Sequence, residues 1–187
     1  TLEALAELVA EGRVRYIGLS NEWPWGVMQF LNISREYNLP RVVTMQNAYS
    51  LINRTYESAL LEMCHRENIS LLPYSPLAFG HLSAKYLDNE NAAGRITLFQ
   101  HFGQRYEKPN VVPAVEAYAE LAEKHGMSPA QFALAFVYSR WFVASTIIGA
   151  TSMEQLKENV DAFSVEWNDE MEADVQQAHL KFFNPAP

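Results

Sequence analysis

Residues 71–80 read Leu71-Leu72-Pro73-Tyr74-Ser75-Pro76-Leu77-Ala78-Phe79-Gly80. With Ile69 ahead of them, Leu71 and Leu72 form a short apolar run of strand type, which the pattern predicts to stop at Pro73. An aromatic, a hydroxyl, a second proline and a glycine follow within seven residues. The stretch therefore predicts a buried strand that ends abruptly in a rigid, polar-tipped loop. In parallel α/β architectures the loops at the carboxyl ends of strands form the ligand face. Tyr74 and Ser75 stand at that position; an ordinary turn behind a buried strand is the other reading of this segment.

Working outward, the same unit recurs. Thr1 opens onto Leu2, Leu5, Leu8 and Val9 at helical spacing, with Thr1 at the N-cap position and Gly12 at the stop. A start partway through a fold is the expectation. Val14 to Leu19 is strand-like and ends in Gly18-Leu19-Ser20-Asn21. Pro24 starts a helix that runs to about Tyr37, and Arg41 to Gln46 is the next strand. A helix carrying Tyr56, Leu60 and Cys64 leads to the strand of residues 69–72. Beyond it, Ser75 to Val112 has no periodic segment. A connection that long is usually functional, and Phe79, Tyr86, Phe99 and Phe102 argue against a disordered insertion. Helices are predicted from Pro113 to His125, Pro129 to Arg140, Ser152 to Phe163, and from Asn168 to just before Phe182, with a fourth strand at Ala144 to Gly149. Alternating strands and helices imply parallel strands with right-handed crossovers. Four strand–helix units make half of an eight-stranded barrel or a small open sheet.

Composition bounds the rest. The 187 residues are 49% hydrophobic with a net charge of -8, which suits one globular domain and disfavours nucleic acid or an anionic membrane as a partner. Cys64 is the single cysteine, so no internal disulfide exists and a reducing compartment is expected. No apolar run approaches the ~20 residues of a membrane span, and the first residues do not resemble a signal peptide. A soluble, cytoplasmic protein is the expectation. The five histidines lack metal-ligand spacing, and no metal site is expected.

If the four strands are neighbours, Ser20, Asn21, Gln46, Tyr74, Ser75 and residues 149–155 share one edge. Ser20, Asn21 and Gln46 offer the donor and acceptor pairs that fix a carboxamide. Tyr74 offers a flat face for a heteroaromatic ring. Ser152-Met153-Glu154-Gln155 has the form of a capping box, whose helix presents N–H groups suited to a phosphate. Lys85 and Arg95 are cations within reach of a second phosphate. Each is a weak signal alone, and together they describe a dinucleotide.

The set Arg15-Tyr16-Ile17-Gly18-Leu19-Ser20-Asn21, Met45-Gln46-Asn47, Tyr74 through Gly80 and Ile148-Gly149-Ala150-Thr151 through Asn159 resembles the aldo-keto reductases. It is most similar to their bacterial NADP(H)-dependent branch, which is related to potassium-channel β subunits. The resemblance runs over the whole chain and implies the C-terminal half of a (β/α)8 TIM barrel. Residues 1–187 would then supply strands 5 to 8 of the family fold, with a cofactor-covering segment at 75–112. It further implies that Ser20, Asn21 and Gln46 hold the nicotinamide carboxamide and that Tyr74 stacks on the ring. Ser75, Pro76, Leu77, Ala78 and Phe79 would wrap the pyrophosphate, with Lys85 and Arg95 as a clamp. Gly149, Thr151, Gln155, Glu158 and Asn159 would take the adenosine end. Thr151 and Gln155 stand where some relatives are more basic.

The reaction implied is reduction of an aldehyde or ketone to an alcohol by NADP(H). The family's Asp, Tyr, Lys and His tetrad sits on the first four strands, so no catalytic residue is assigned here. Tyr16, Tyr49 and Tyr74 lie in no matching motif. A small carbonyl substrate would contact the loop from Glu22 to Trp25, unless Trp23 and Trp25 pack on the barrel rim. The expected partner is the missing N-terminal half or a second copy, because half a barrel exposes parallel edges. A non-catalytic nucleotide-binding or scaffold protein is the alternative.

Overall fold

The computed structural model describes residues 1–99, 101 and 103–187; Phe102, one of the aromatics named above, lies outside them. Helix α1 (Leu2–Ala10) leads to strand β1 (Ile17–Ser20), helix α2 (Pro24–Glu36), strand β2 (Val42–Ala48), helix α3 (Leu60–Arg66) and strand β3 (Ser70–Tyr74). The order in the sheet is β1-β2-β3, parallel throughout. Thr1 precedes α1 but makes no side-chain cap bond, while Gly12 closes it at φ +72°.

Two expectations about strands need correction. First, β3 does not stop at Pro73: it continues to Tyr74, with Asn47 paired to Pro73 and Ala48 to Tyr74. In a parallel strand the N–H and C=O of one residue point the same way. The Pro73 carbonyl accepts from Ile147 N–H at 2.9 Å, so its missing donor faces that outer side and costs no β2–β3 bond. Second, the predicted fourth strand at 144–149 is not a regular strand. It runs beside β3 through a parallel bridge of Leu71 to Val143, with Ala144 N–H on the Leu71 carbonyl at 2.9 Å. The next bond comes from Ile147 rather than Thr146, which inserts one extra residue and breaks the ladder.

The segment predicted to be aperiodic holds local helices. A 3-10 stretch covers Ala78–Ser83, α4 is Lys85–Asp88, α5 is Arg95–Leu98, and a further 3-10 turn is Gln104–Tyr106. Each is only three to six residues long, too short for an amphipathic repeat to show in the sequence. Then follow α6 (Val111–Lys124), α7 (Pro129–Tyr138), α8 (Met153–Asp161) and α9 (Asp169–Lys181). Ser128 Oγ accepts from Gln131 N–H at 3.1 Å, and Asn168 Oδ1 accepts from Met171 N–H at 3.0 Å. The Ser128-Pro129 pair reads as an N-cap and first turn in the sequence, which also places the start of the last helix near Asn168.

The core lies between the sheet and α7, in which Phe132 through Val137 are all buried. Met45 and Leu71, paired across β2 and β3, are fully buried. A polar cluster crosses this core. Arg54 is bidentate to Glu57 at 2.8 and 2.7 Å, and Tyr49 donates its hydroxyl to the same carboxylate. Burial first, and Glu57 second, push the Tyr49 phenol well up, so it stays a donor. The Arg54 N–H donates to Asn184 Oδ1 at 2.7 Å, and Ala186 N–H to the Ile52 carbonyl at 3.0 Å, which fastens the C-terminal tail. Arg140, 4.5 Å from the centre of the Phe136 ring, pairs with Glu172 at 2.6 Å.

The hydrogen bond from Arg140 holds the Glu172 carboxyl below the usual glutamate range. A depressed folded value means the stabilisation is complete above the unfolded value and is lost as pH falls through the folded one. Glu172→Gln is expected to lower stability by under about 1 kcal/mol at pH 7, the group being partly exposed. In urea titrations the deficit against wild type should shrink as pH falls below about 4.

Candidate functional site

The strand register gathers the polar residues at one edge. Ser20 pairs with Gln46, Gln46 with Leu72, and Ala48 with Tyr74. Ile147 lies level with Pro73 through its hydrogen bond, so Gly149 emerges at the same edge as Ser75. Close approach at this edge depends on Gly18, where a Cβ would sit 2.2 Å from Thr44 Oγ1 and 3.0 Å from the Thr44 carbonyl.

Ser20 Oγ donates to the Gln46 carbonyl at 3.0 Å, and Asn21 N–H is shared between that carbonyl and Asn47 Oδ1, each at 3.1 Å. Asn21 adopts φ 55°, a left-handed conformation that asparagine tolerates. The Tyr74 hydroxyl donates to Asn21 Oδ1 at 2.8 Å, reaching over the end of β2. This bond holds the Tyr74 ring, a constraint that sequence alone did not signal. The Gln46 side chain is exposed and its amide has no partner among the described residues. An amide group of a ligand would find both polarities here.

After Tyr74 the backbone turns left-handed at Ser75 (φ 55°), Ala78 (φ 49°), Phe79 (φ 57°) and Gly80 (φ 99°). Pro76 and Ala78 are buried and anchor the turn. Ala78 N–H closes on the Ser75 carbonyl at 2.9 Å and Gly80 N–H on the Leu77 carbonyl at 2.8 Å. The N–H groups of Ser75 and Leu77 have no acceptor among the described residues. Free donors in a left-handed turn are the usual material of an anion nest. Non-glycine residues at such φ cost ~1–3 kcal/mol each and cluster at functional sites.

The two clamp candidates lie in the covering segment. Lys85 Nζ donates to the Ala93 carbonyl at 3.1 Å and sits 4.8 Å from the centre of the Tyr86 ring. The Arg95 guanidinium lies 5.5 Å from the centre of the Phe79 ring. An aromatic chain supports both: Phe79 meets Tyr106 at 5.3 Å, Tyr106 meets His81 at 5.2 Å, and His81 meets Tyr86 at 5.2 Å. Burial, then Lys85, hold the His81 imidazole below its ordinary value.

The 149–159 group is built differently from the capping box expected of it. Ser152 Oγ does accept from Gln155 N–H at 3.2 Å. Gln155 Oε1, however, accepts from Thr151 N–H at 2.9 Å and Thr151 Oγ1 at 3.0 Å, one residue outside the cap. Glu158 accepts from Ser128 Oγ at 2.5 Å, which joins α8 to the start of α7. Buried Asn159 donates to the Gly149 carbonyl at 3.1 Å. Glu158 and Asn159 therefore shape this loop, while Thr151 and Gln155 remain exposed. Gly149 meets no heavy atom within 4 Å of where a Cβ would be.

Sequence reasoning missed the 103–106 turn. Gly103, Gln104, Arg105 and Tyr106 close a cavity of about 230 Å³ against Tyr74 and Phe79. Trp23 and Trp25 stay three-quarters exposed, rather than packed on a rim within this chain.

A parallel α/β sheet with its amide, aromatic and free backbone donors at one strand edge defines the class of protein. The chain belongs to the aldo/keto reductase family, whose sequence model matches residues 1–179. That family is built on the (β/α)8 barrel. The chain is 47% identical over its whole length to the protein Tas of Escherichia coli (strain K12), of which it spans 54%. It is 33% identical to an aldo-keto reductase of Babesia bovis, over 98% of this chain and 67% of that one. It is 31% identical to the L-glyceraldehyde 3-phosphate reductase of E. coli, over 88% of this chain and 49% of that one. The chain thus spans about half the length of curated relatives it matches, among them Tas. Among the described residues no helix is long and apolar enough to cross a membrane.

The covering segment is sensitive at Gly94, where a Cβ would fall 2.1 Å from the Tyr86 hydroxyl and 2.7 Å from Lys85 Nζ. Gly94→Ala is expected to displace both and open the segment to limited proteolysis between residues 80 and 100. The melting temperature should fall by no more than about 4 °C, since the core lies elsewhere.

Proposed function

We propose that this chain is the cofactor-binding half of an NADP(H)-dependent oxidoreductase that reduces aldehydes or ketones to alcohols. The observation that carries the reading is the convergence, at one sheet edge, of exposed amides, a hydrogen-bonded tyrosine and a left-handed turn with two free N–H donors. Residues of these types fit a nicotinamide dinucleotide, which offers an amide, a flat ring and a diphosphate. When bound, NADP(H) supplies the hydride for carbonyl reduction.

The chain's own residues bind and orient. Ser20 and Asn21 brace the tips of β1 and β2 so that the Gln46 amide stays free for the carboxamide. The bond from Tyr74 to Asn21 sets the ring plane for stacking. Ser75 and Leu77 offer backbone donors to the diphosphate from a turn that Pro76, Ala78 and Phe79 complete, so they cost no reorganisation on binding. Lys85 and Arg95 close over it from the covering segment. Gly149 leaves room for close approach at the adenosine end, beside Thr151 and Gln155. The groups that transfer the proton belong, by family resemblance, to strands absent from this sequence.

Half a barrel has two parallel edges, and the reading includes a second half barrel against them, either the N-terminal half or another copy. Sedimentation of the 187-residue chain should show a dimer, or a heterodimer when the N-terminal half is supplied. A monodisperse monomer with cooperative unfolding would count against it.

The central test is binding. NADPH titrated into the chain is expected to raise its melting temperature and change the nicotinamide fluorescence, with NADH weaker. A hundredfold excess over Kd adds about 2.7 kcal/mol of apparent stability. Tyr74→Ala should weaken binding about tenfold while leaving the unligated melting temperature within a few degrees. Turnover of a simple aldehyde by the chain would exclude a purely scaffolding role; absence of any NADPH effect would sink the cofactor reading.

A further inference from the structure

The cavity of about 230 Å³ beside the strand tips has one wall with no role in the reading above, the turn from Gly103 to Tyr106. That wall is built to a fixed position. Gly103 sits at φ 94°, and a Cβ there would lie 3.1 Å from Ile96 Cγ2 and 3.4 Å from Phe79 Cδ2. Any other residue would be strained at this φ, and its Cβ would crowd Ile96. Tyr106 is buried and edge-on to Phe79, with ring centres 5.3 Å apart. The turn is therefore packed against Phe79, in the left-handed loop that follows β3.

Between these two anchors stands Arg105, half-buried and lining the cavity. The other arginines removed from solvent have carboxylate partners: Arg54 has Glu57 and Arg140 has Glu172. Arg105 has no carboxylate partner among the described residues. Its neighbour is the Tyr106 phenol, which burial pushes up and keeps neutral. A guanidinium drawn partly out of water without a counter-charge is unfavourable until an anion arrives. The cavity into which it faces also borders the loop bearing the unpaired Ser75 and Leu77 N–H groups.

We infer that Arg105 is an anion-binding residue of the cofactor site, contacting the diphosphate of the dinucleotide from the wall opposite the Ser75–Phe79 turn. The inference rests on the NADP(H) reading. It assigns the diphosphate rather than the 2′-phosphate because Arg105 shares its cavity with Tyr74 and Phe79, whereas Gly149, Thr151 and Gln155 form the adenosine end. A planar guanidinium can meet two phosphate oxygens at once, which a lysine cannot.

The test compares the dissociation constants of NADPH and NADH, by fluorescence titration, for the wild-type chain, Arg105→Gln and Arg105→Lys. Arg66→Gln, an exposed change on α3, controls for the loss of one positive charge. Arg105→Gln is expected to weaken both nucleotides by the same factor, about tenfold to a hundredfold, with Arg105→Lys between it and wild type. Equal urea midpoints for the three chains would exclude a folding defect as the cause, and Arg105→Lys carries the comparison if Arg105→Gln unfolds. Loss confined to NADPH would overturn the assignment, since Arg105 would then read the 2′-phosphate. Wild-type binding with unchanged affinity in both variants overturns it outright. No binding by the wild-type chain overturns the cofactor reading and this inference with it.

Discussion

The parallel pairing of β2 with β3 and, from Gly18 onward, with β1 is the constraint on which everything else depends. Met45 pairs with Leu19 on one side and Leu71 on the other, and both Met45 and Leu71 are fully buried. Because side chains alternate along a strand, a slip of one residue would turn this buried set outward. The same register brings Ser20, Gln46 and Tyr74 to the carboxyl edge. The hydrophobic demand of the core thus sets the positions of polar groups that contribute nothing to it. Gly18 is the condition for this closeness, since β1 passes Thr44 with no room for a methyl group.

The second structural element is the charged cluster around Phe136. Two guanidiniums, from Arg54 and Arg140, lie over that ring at 5.5 and 4.5 Å, and each has its own carboxylate. Buried charges are tolerated when paired and hydrogen-bonded, and removal of one partner leaves the other stranded. The cluster ties the loop after β2 to α9 and to the tail at Asn184. It lies beneath the site rather than within it, so Tyr49 and Glu57 serve the frame. The site edge, in contrast, is exposed and carries its donors unpaired.

The covering segment follows a third logic. It has few apolar residues at regular spacing, and it holds its shape through ring contacts from Phe79 to Tyr86 and through left-handed backbone at Phe79, Gly80 and Ala84. Such a segment has only a modest packing energy, so it is the part of the chain in which opening is cheapest. Its cations rest on aromatic faces, which keeps Lys85 and Arg95 near the loop after β3.

Much of this was legible along the chain. The alternation of short apolar runs with amphipathic helices required parallel strands, the cap at Ser128 could be read from residue type, and the ordered motifs from Gly18 to Asn159 identified the family. These features depend on neighbours within a few residues, where backbone propensity and spacing act directly. Other features depend on residues that meet from far along the chain. The continuation of β3 through Pro73 follows from which side its missing donor faces. The irregular 144–149 segment follows from one extra residue against β3. The placement of Arg105 on one cavity with Tyr74 follows from Tyr106 packing on Phe79. No local pattern encodes these, because each is a choice made by packing between elements rather than by preference within one.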